Sequence, residues 1–120
     1  KRDWGHAKDY VKMMWKMLNH KKPIDFVIST GKNYSVRDFI KETAKNLSMK
    51  INFSGNGLNE KVYDENNKVI IEVRKKYFRP NEVKELLGDS KMAKKILKWS
   101  PKYNFKDLVK EMVKEELNDL

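Results

Sequence analysis

Apolar residues occur in short, punctuated groups along this chain, and that patterning restricts the fold to small elements packed on one another. Val11, Met14, Trp15 and Leu18 recur at i, i+3, i+4, i+7, which predicts a helix over residues 6–19 with those four side chains turned inward. Pro23 then punctuates the chain, and Asp25-Phe26-Val27-Ile28-Ser29 reads as a short buried strand. After a loop at Thr30-Gly31-Lys32-Asn33, Ser35-Val36-Arg37-Asp38 has the form of a capping box, with aspartate where glutamate or glutamine is usual. It predicts a second helix ending near Ser48, with Val36, Phe39, Ile40 and Leu47 inward.

Residues 50–53 form a second candidate strand, and Gly55-Asn56-Gly57 a flexible turn. Val62-Tyr63 and Val69-Ile70-Ile71-Glu72-Val73 flank the turn-prone Asp64-Glu65-Asn66-Asn67, which predicts a hairpin. After the Arg79-Pro80 step a short helix is expected over residues 81–87, stopped by Gly88. Asp89 or Ser90 would cap another helix through Lys98, and Trp99-Ser100-Pro101 breaks the chain. Phe105, Leu108, Val109, Met112 and Val113 stripe the last helix. No repeat, low-complexity tract or linker interrupts the 120 residues. The expectation is one compact α-rich α/β unit over residues 1–120, with about five helices, a few short strands and a hairpin.

The net charge of +10 invites a nucleic-acid reading, but its make-up argues against one. Only Arg2, Arg37, Arg74 and Arg79 are arginines, whereas base readout favours the bidentate arginine fork. The lysines are scattered and often sit among acids, as in Lys110-Glu111-Met112-Val113-Lys114-Glu115, a pattern of solvated helix faces. Nucleic acid is therefore not the expected partner. No apolar run is long enough to span a bilayer. The absence of cysteine excludes disulfides, thiolate zinc sites and cysteine nucleophiles, and fits a reducing compartment such as the cytoplasm.

Several familiar chemistries lack their residues. Gly55-Asn56-Gly57-Leu58-Asn59-Glu60 has glutamate where a dinucleotide loop needs a third glycine, and a hairpin follows it. No tyrosine is followed four residues on by lysine, so no tyrosine–lysine proton-transfer pair is encoded. His6 and His20 are far apart with no convincing metal-ligand partners, so no metal is expected. His6 reads as a packing or capping residue, Trp15 and Trp99 as core, and Trp4 and Phe78 as core too.

What remains is a pair of arginines, each placed just before a predicted helix. Arg2 and Arg79 would hold a diphosphate between two guanidinium forks, helped by helix N-terminal amides. Spacing alone leaves the alternatives open: a frayed end for Arg2 and an Arg79–Glu82 ion pair. Glu82 would accept hydrogen bonds from a ribose or base, or else serve only as a dipole partner at a helix start.

Arg2-Asp3-Trp4-Gly5-His6-Ala7-Lys8-Asp9-Tyr10-Val11 and the run on to Trp15 resemble a hallmark of the GDP-mannose 4,6-dehydratases. So do Val27-Ile28-Ser29-Thr30-Gly31, Ser35-Val36-Arg37 and Tyr77-Phe78-Arg79-Pro80-Asn81-Glu82-Val83. Leu86-Leu87-Gly88-Asp89-Ser90-Lys91-Met92-Ala93, Trp99-Ser100-Pro101 and Leu108-Val109-Lys110-Glu111-Met112-Val113 follow in the same order, so the resemblance covers essentially the whole chain. It implies the small C-terminal substrate-binding part of an extended short-chain dehydrogenase/reductase, with no Rossmann domain among these residues. It further implies that Arg2 contacts the GDP moiety of GDP-mannose, Arg79 grips its phosphates and Glu82 contacts the nucleoside.

By the same resemblance, NADP and the catalytic Thr/Ser, Glu and Tyr/Lys would belong to a missing N-terminal Rossmann half. The complete enzyme would be a lyase forming GDP-4-keto-6-deoxymannose, the precursor of GDP-fucose and GDP-rhamnose, and would assemble as a homodimer or homotetramer. The chain by itself would be inactive. A stand-alone nucleotide-sugar-binding or assembly module is the alternative. Two departures from the family pattern look peripheral: Arg74-Lys75-Lys76 stands where Asp-Pro-Arg is frequent, and Lys98 where glycine is common before Trp99.

Overall fold

His6 starts α1 (Ala7–Leu18) because its Nδ1 accepts the Lys8 amide at 3.1 Å, the bond an N-cap hydroxyl usually makes. That leaves Nε2 as the N–H donor to Glu111, 2.8 Å away, while the ring stacks on Tyr103. The capping box of α2 (Val36–Asn46) forms in full: Ser35 Oγ accepts the Asp38 amide and Asp38 accepts the Ser35 amide. The computed structural model describes all residues 1–120, continuing with a second helical pair and a small sheet. α3 (Lys91–Leu97) is short, and α4 (Phe105–Asn118) opens with a reciprocal Asn104–Asp107 box.

Between α2 and α3 lie three antiparallel strands, β1 (Asn52–Ser54), β2 (Lys61–Tyr63) and β3 (Val69–Glu72), in that spatial order. β2 is central, and its Val62 is the buried residue of the sheet. The β2–β3 turn closes through Asp64 Oδ1, which accepts the amides of Asn66 and Lys68, with Asn67 in the left-handed region at φ 58°. Single 3₁₀ turns at Gly57–Asn59 and Lys75–Tyr77 flank the sheet.

The main core is Met13, Ala93, Leu97 and Trp99, with Tyr10, Met17, Phe26 and Ile28 packed around it. Trp99 is placed by its Nε1, which donates to the Asp9 carbonyl at 3.0 Å. The buried Asp9 carboxylate in turn accepts the amides of Lys102 and Tyr103, each at 3.0 Å, so its charge is satisfied. Lys98 ends α3 at φ 50°, the left-handed cap conformation that favours glycine. α2 packs on α4, where Tyr34 stacks on Phe105 and Trp4 lies against Phe39.

Several expectations are corrected. There are four α-helices rather than about five, because residues 81–87 are not helical. Val83, Leu86 and Leu87 have helical spacing but are all exposed, and so short a helix is marginal without a face to pack. Residues 25–29 alternate as a strand would, Phe26 and Ile28 inward and Val27 outward, yet no neighbouring strand completes a ladder. In α1 it is Tyr10, Met13 and Met17 that face the core, while Val11, Met14, Trp15 and Leu18 point to solvent, Trp15 at 67% exposure. Val36 and Leu47 are likewise exposed in place of their inward assignment, and Met112 of the α4 stripe is exposed too.

Nor is the unit compact. Its radius of gyration is 17.8 Å against about 14 Å expected for a compact chain of this length. Its surface of 9764 Å² exceeds by about 3,000 Å² that of a compact monomer of 14.3 kDa.

Trp99→Ala is expected to lower the unfolding free energy by about 3–5 kcal/mol, read from the urea midpoint, because it empties the centre of the core. A loss under about 1 kcal/mol would mean that Trp99 is not central to stability. Hydrogen bonds from the Ser35 amide and hydroxyl hold the Asp38 carboxyl below its ordinary value of 3.8. The contribution is thus present above that ordinary value and is lost as pH falls through the lowered one. Asp38→Asn is expected to be less stable at neutral pH and to show a flatter acid limb; an unchanged acid limb in thermal unfolding would contradict this.

Candidate functional site

Residues 1–4 join two distant parts of the chain. On one side Arg2 and Tyr34 exchange both backbone hydrogen bonds, at 3.0 and 2.8 Å, and Trp4 Nε1 donates to the Tyr34 carbonyl at 3.1 Å. The Asp3 carboxylate accepts the Thr30 and Gly31 amides and the Thr30 hydroxyl, fixing a turn in which Gly31 has φ +79°. Gly5 follows where no side chain fits, since a Cβ there would lie 2.0 Å from Tyr10 Oη. Burial pushes the Tyr10 phenol up, reinforced by the charges of Asp3 and Asp9.

On the other side, Arg2 Nη1 donates to the Val83 carbonyl at 2.8 Å and Nη2 to Glu82 Oε1 at 2.9 Å. The Leu86 amide donates to the Lys1 carbonyl at 3.1 Å, and the Lys1 ammonium pairs with Glu85. Residues 79–82 form a turn closed by the Glu82 amide on the Arg79 carbonyl at 3.4 Å, with Pro80 at the position where its fixed φ suits a turn. The turn replaces the expected helix, so it offers no helix N-terminal amides to an anion.

Arg2, Arg79 and Glu82 thereby line one cleft of about 600 Å³, within the range of small-molecule sites. Five cations (Lys1, Arg2, Arg74, Arg79, Lys84) face two carboxylates (Glu72, Glu82), a surplus of three positive charges. Trp4, Tyr34, Tyr77 and Phe78 supply aromatic surface. Tyr77 and Phe78 are exposed on the cleft, which corrects the core assignment of Phe78, and Lys76 Nζ lies 5.3 Å from the Tyr77 ring centroid. Trp4 is half-buried against Phe39.

The two alternatives left by spacing do not form. Arg2 is not a frayed end, and Glu82 pairs with Arg2 rather than with Arg79. The Arg79 guanidinium has no protein partner. The exposed Arg2–Glu82 pair is worth about 0–1 kcal/mol by itself, so the bonds of Arg2 Nη1 to the Val83 carbonyl and of the Leu86 amide to the Lys1 carbonyl, not the ion pair, carry the joint. Lys84 and Arg74, the latter marked by the sequence only as a departure from the family pattern, belong to the same cleft. The available signal was the strand period, which puts Glu72 and Arg74 on one side of the β3 extension.

Elsewhere, Lys8 and His6 hold Glu111 below the usual carboxylate range, and Glu111 raises Lys8 in return. This cluster fastens α1 to α4 and gives His6 its capping role. Gly55 and Gly57 have positive φ and connect β1 to β2 through a 3₁₀ turn with no α-helix behind it. These residues do not fit the phosphates of NADP. No three His, Asp or Glu side chains gather as a metal site, and no helix is long and apolar enough to cross a membrane.

The family model described as GDP-mannose 4,6 dehydratase matches residues 1–112. The chain is 47% identical over 118 residues to GDP-mannose 4,6 dehydratase of Dictyostelium discoideum, covering 98% of this chain and 33% of that protein. It is 46% identical to GDP-mannose 4,6-dehydratase of Vibrio cholerae serotype O1 (97% of this chain, 34% of that one). It is 47% identical to the human GDP-mannose 4,6 dehydratase (94% and 31%). The chain thus spans about a third of the length of the relatives it matches. The matched residues run through the whole cleft, from Lys1 to Lys84, and the chain belongs to the GDP-mannose 4,6-dehydratase family.

Proposed function

We propose that this chain is the substrate-gripping part of a GDP-mannose 4,6-dehydratase, with Arg79 on the phosphates of GDP-mannose, Glu82 accepting from the nucleoside and Arg2 acting on the GDP moiety. The observation that carries this reading is the unpartnered Arg79 guanidinium beside the Arg2–Glu82 pair, in a cleft with three surplus positive charges. A nucleotide diphosphate ester is a dianion, and its charge-assisted bonds to guanidinium are worth about 1.5–3 kcal/mol each. The aromatic faces of Tyr77 and Phe78 suit the base or sugar.

The overall reaction proposed for the complete protein is loss of water from the hexose of GDP-mannose, giving GDP-4-keto-6-deoxymannose. Nothing in residues 1–120 fits NADP or supplies a tyrosine–lysine pair, so that chemistry is assigned to a Rossmann half outside these residues. The outer stripe of α1, the unpaired segment 25–29 and the exposed Val83, Leu86 and Leu87 favour a unit covered by further polypeptide over a stand-alone module. A homodimer or homotetramer of the complete protein is compatible with the same surface.

In the complete protein, Arg79→Ala is expected to weaken GDP binding by about tenfold or more while leaving the circular dichroism spectrum unchanged. Equal GDP affinity in calorimetry for the two proteins would overturn the assignment of Arg79.

A further inference from the structure

The limb that carries Arg79 and Glu82 is held by few contacts. Residues 79–87 are all exposed, and no helix or strand contains them. Besides the bonds that Lys1 and Arg2 make to residues 82–86, the limb is seated on the body of the protein at Gly88. That seat has no room for a side chain. A Cβ on Gly88 would lie 2.3 Å from Ser29 Cβ and 2.7 Å from Ser29 Oγ, whereas the next neighbour, Val27 Cγ1, is at an ordinary 3.5 Å. The helix that Gly88 would stop does not form, and its φ is not among the positive ones, so neither a cap nor the backbone conformation asks for glycine. The requirement is steric and comes from one side chain. Ser29 is 3% exposed and its Oγ makes no hydrogen bond, so the serine acts here as a buried spacer with nowhere to retreat. It directly precedes Thr30, whose amide and hydroxyl hold Asp3 and with it residues 1–4.

We infer that Gly88 is a positioning residue for the cleft: its bare Cα, seated on Ser29, sets how closely the limb of residues 79–88 approaches residues 1–4. The inference rests on the proposed GDP-sugar reading of that cleft. Ser29 faces two ways in the chain, touching Gly88 with its side chain and leading into the Asp3 anchor with its backbone, so one contact fixes the two sides against each other. A methyl group at position 88 is accommodated by moving the exposed limb, not the buried serine, and Arg79 and Glu82 move with it.

The test is calorimetric titration of the complete protein with GDP and guanosine, as wild type, Gly88→Ala, Ser29→Gly and the double variant, each with its thermal midpoint. Gly88→Ala is expected to bind GDP about tenfold more weakly, the cost of relieving an overpacked contact by shifting the limb. Ser29→Gly is expected to bind within about twofold of wild type, and the double variant to recover to within about threefold, since the two sites are coupled through one contact. The added methyl group then meets only Val27, at its ordinary distance. A Gly88→Ala protein that loses thermal stability but keeps its GDP affinity, or a double variant no better than Gly88→Ala, would overturn the inference and leave the cleft assignment intact. If Gly88→Ala does not fold, Ser29→Thr presses on the same contact from the other side, and undiminished GDP affinity there would overturn the inference as well. Wild-type protein that binds GDP no better than guanosine would instead overturn the reading of the cleft itself.

Discussion

The antiparallel seating of residues 1–4 on Tyr34, extended by Arg2 to Val83 and Glu82, is the constraint on which the cleft depends. The partners are separated by about 30 residues on one side and about 80 on the other, so local propensity cannot hold them together. Asp3 anchors the strand-like segment by accepting from three donors of Thr30 and Gly31, and Gly5 allows it to pass over Tyr10 into α1. The other wall is the end of the sheet, where β3 runs out into Arg74 and the 3₁₀ turn Lys75–Tyr77. The cleft is the space left between these two walls, and its charge follows from which side chains they carry.

The second theme is a chain with more apolar surface than its own core uses. α1 has apolar side chains on two faces, one packed against Ala93, Leu97 and Trp99 and the other exposed. Burying both faces of such a helix needs polypeptide on both sides. Segment 25–29 has strand alternation without a strand beside it, and Val83, Leu86 and Leu87 have helical spacing without a surface to meet. Each of these sequences satisfies a local rule whose tertiary counterpart is absent from residues 1–120, which is the pattern expected of a part within a larger body.

Legibility followed the range of the interactions. The Ser35–Asp38 box and the Asp64 turn were readable because their partners lie within four residues. Spacing does not identify the inner face of α1, because Tyr10, Met13 and Met17 and the set Val11, Met14, Trp15 and Leu18 both fit a helical period. Periodicity cannot rank two apolar faces. Lys98, noted only as a departure at a common glycine position, proved to sit at positive φ, where that glycine preference originates. Arg2, Arg79 and Glu82 were identifiable from their motifs, but the pairing of Arg2 with Glu82 rather than Arg79 with Glu82 depends on contacts 80 residues apart. Arg74 reads as peripheral in the sequence because its place in the cleft is fixed by the sheet, not by its neighbours in sequence.

The most direct measurement is amide hydrogen exchange of the complete protein with and without GDP. Slower exchange confined to residues 1–4 and 74–84 is expected, since the ligand would bridge the two walls and suppress their separation. Protection located elsewhere, or none at saturating GDP, would contradict the assignment of this cleft as the nucleotide-sugar site.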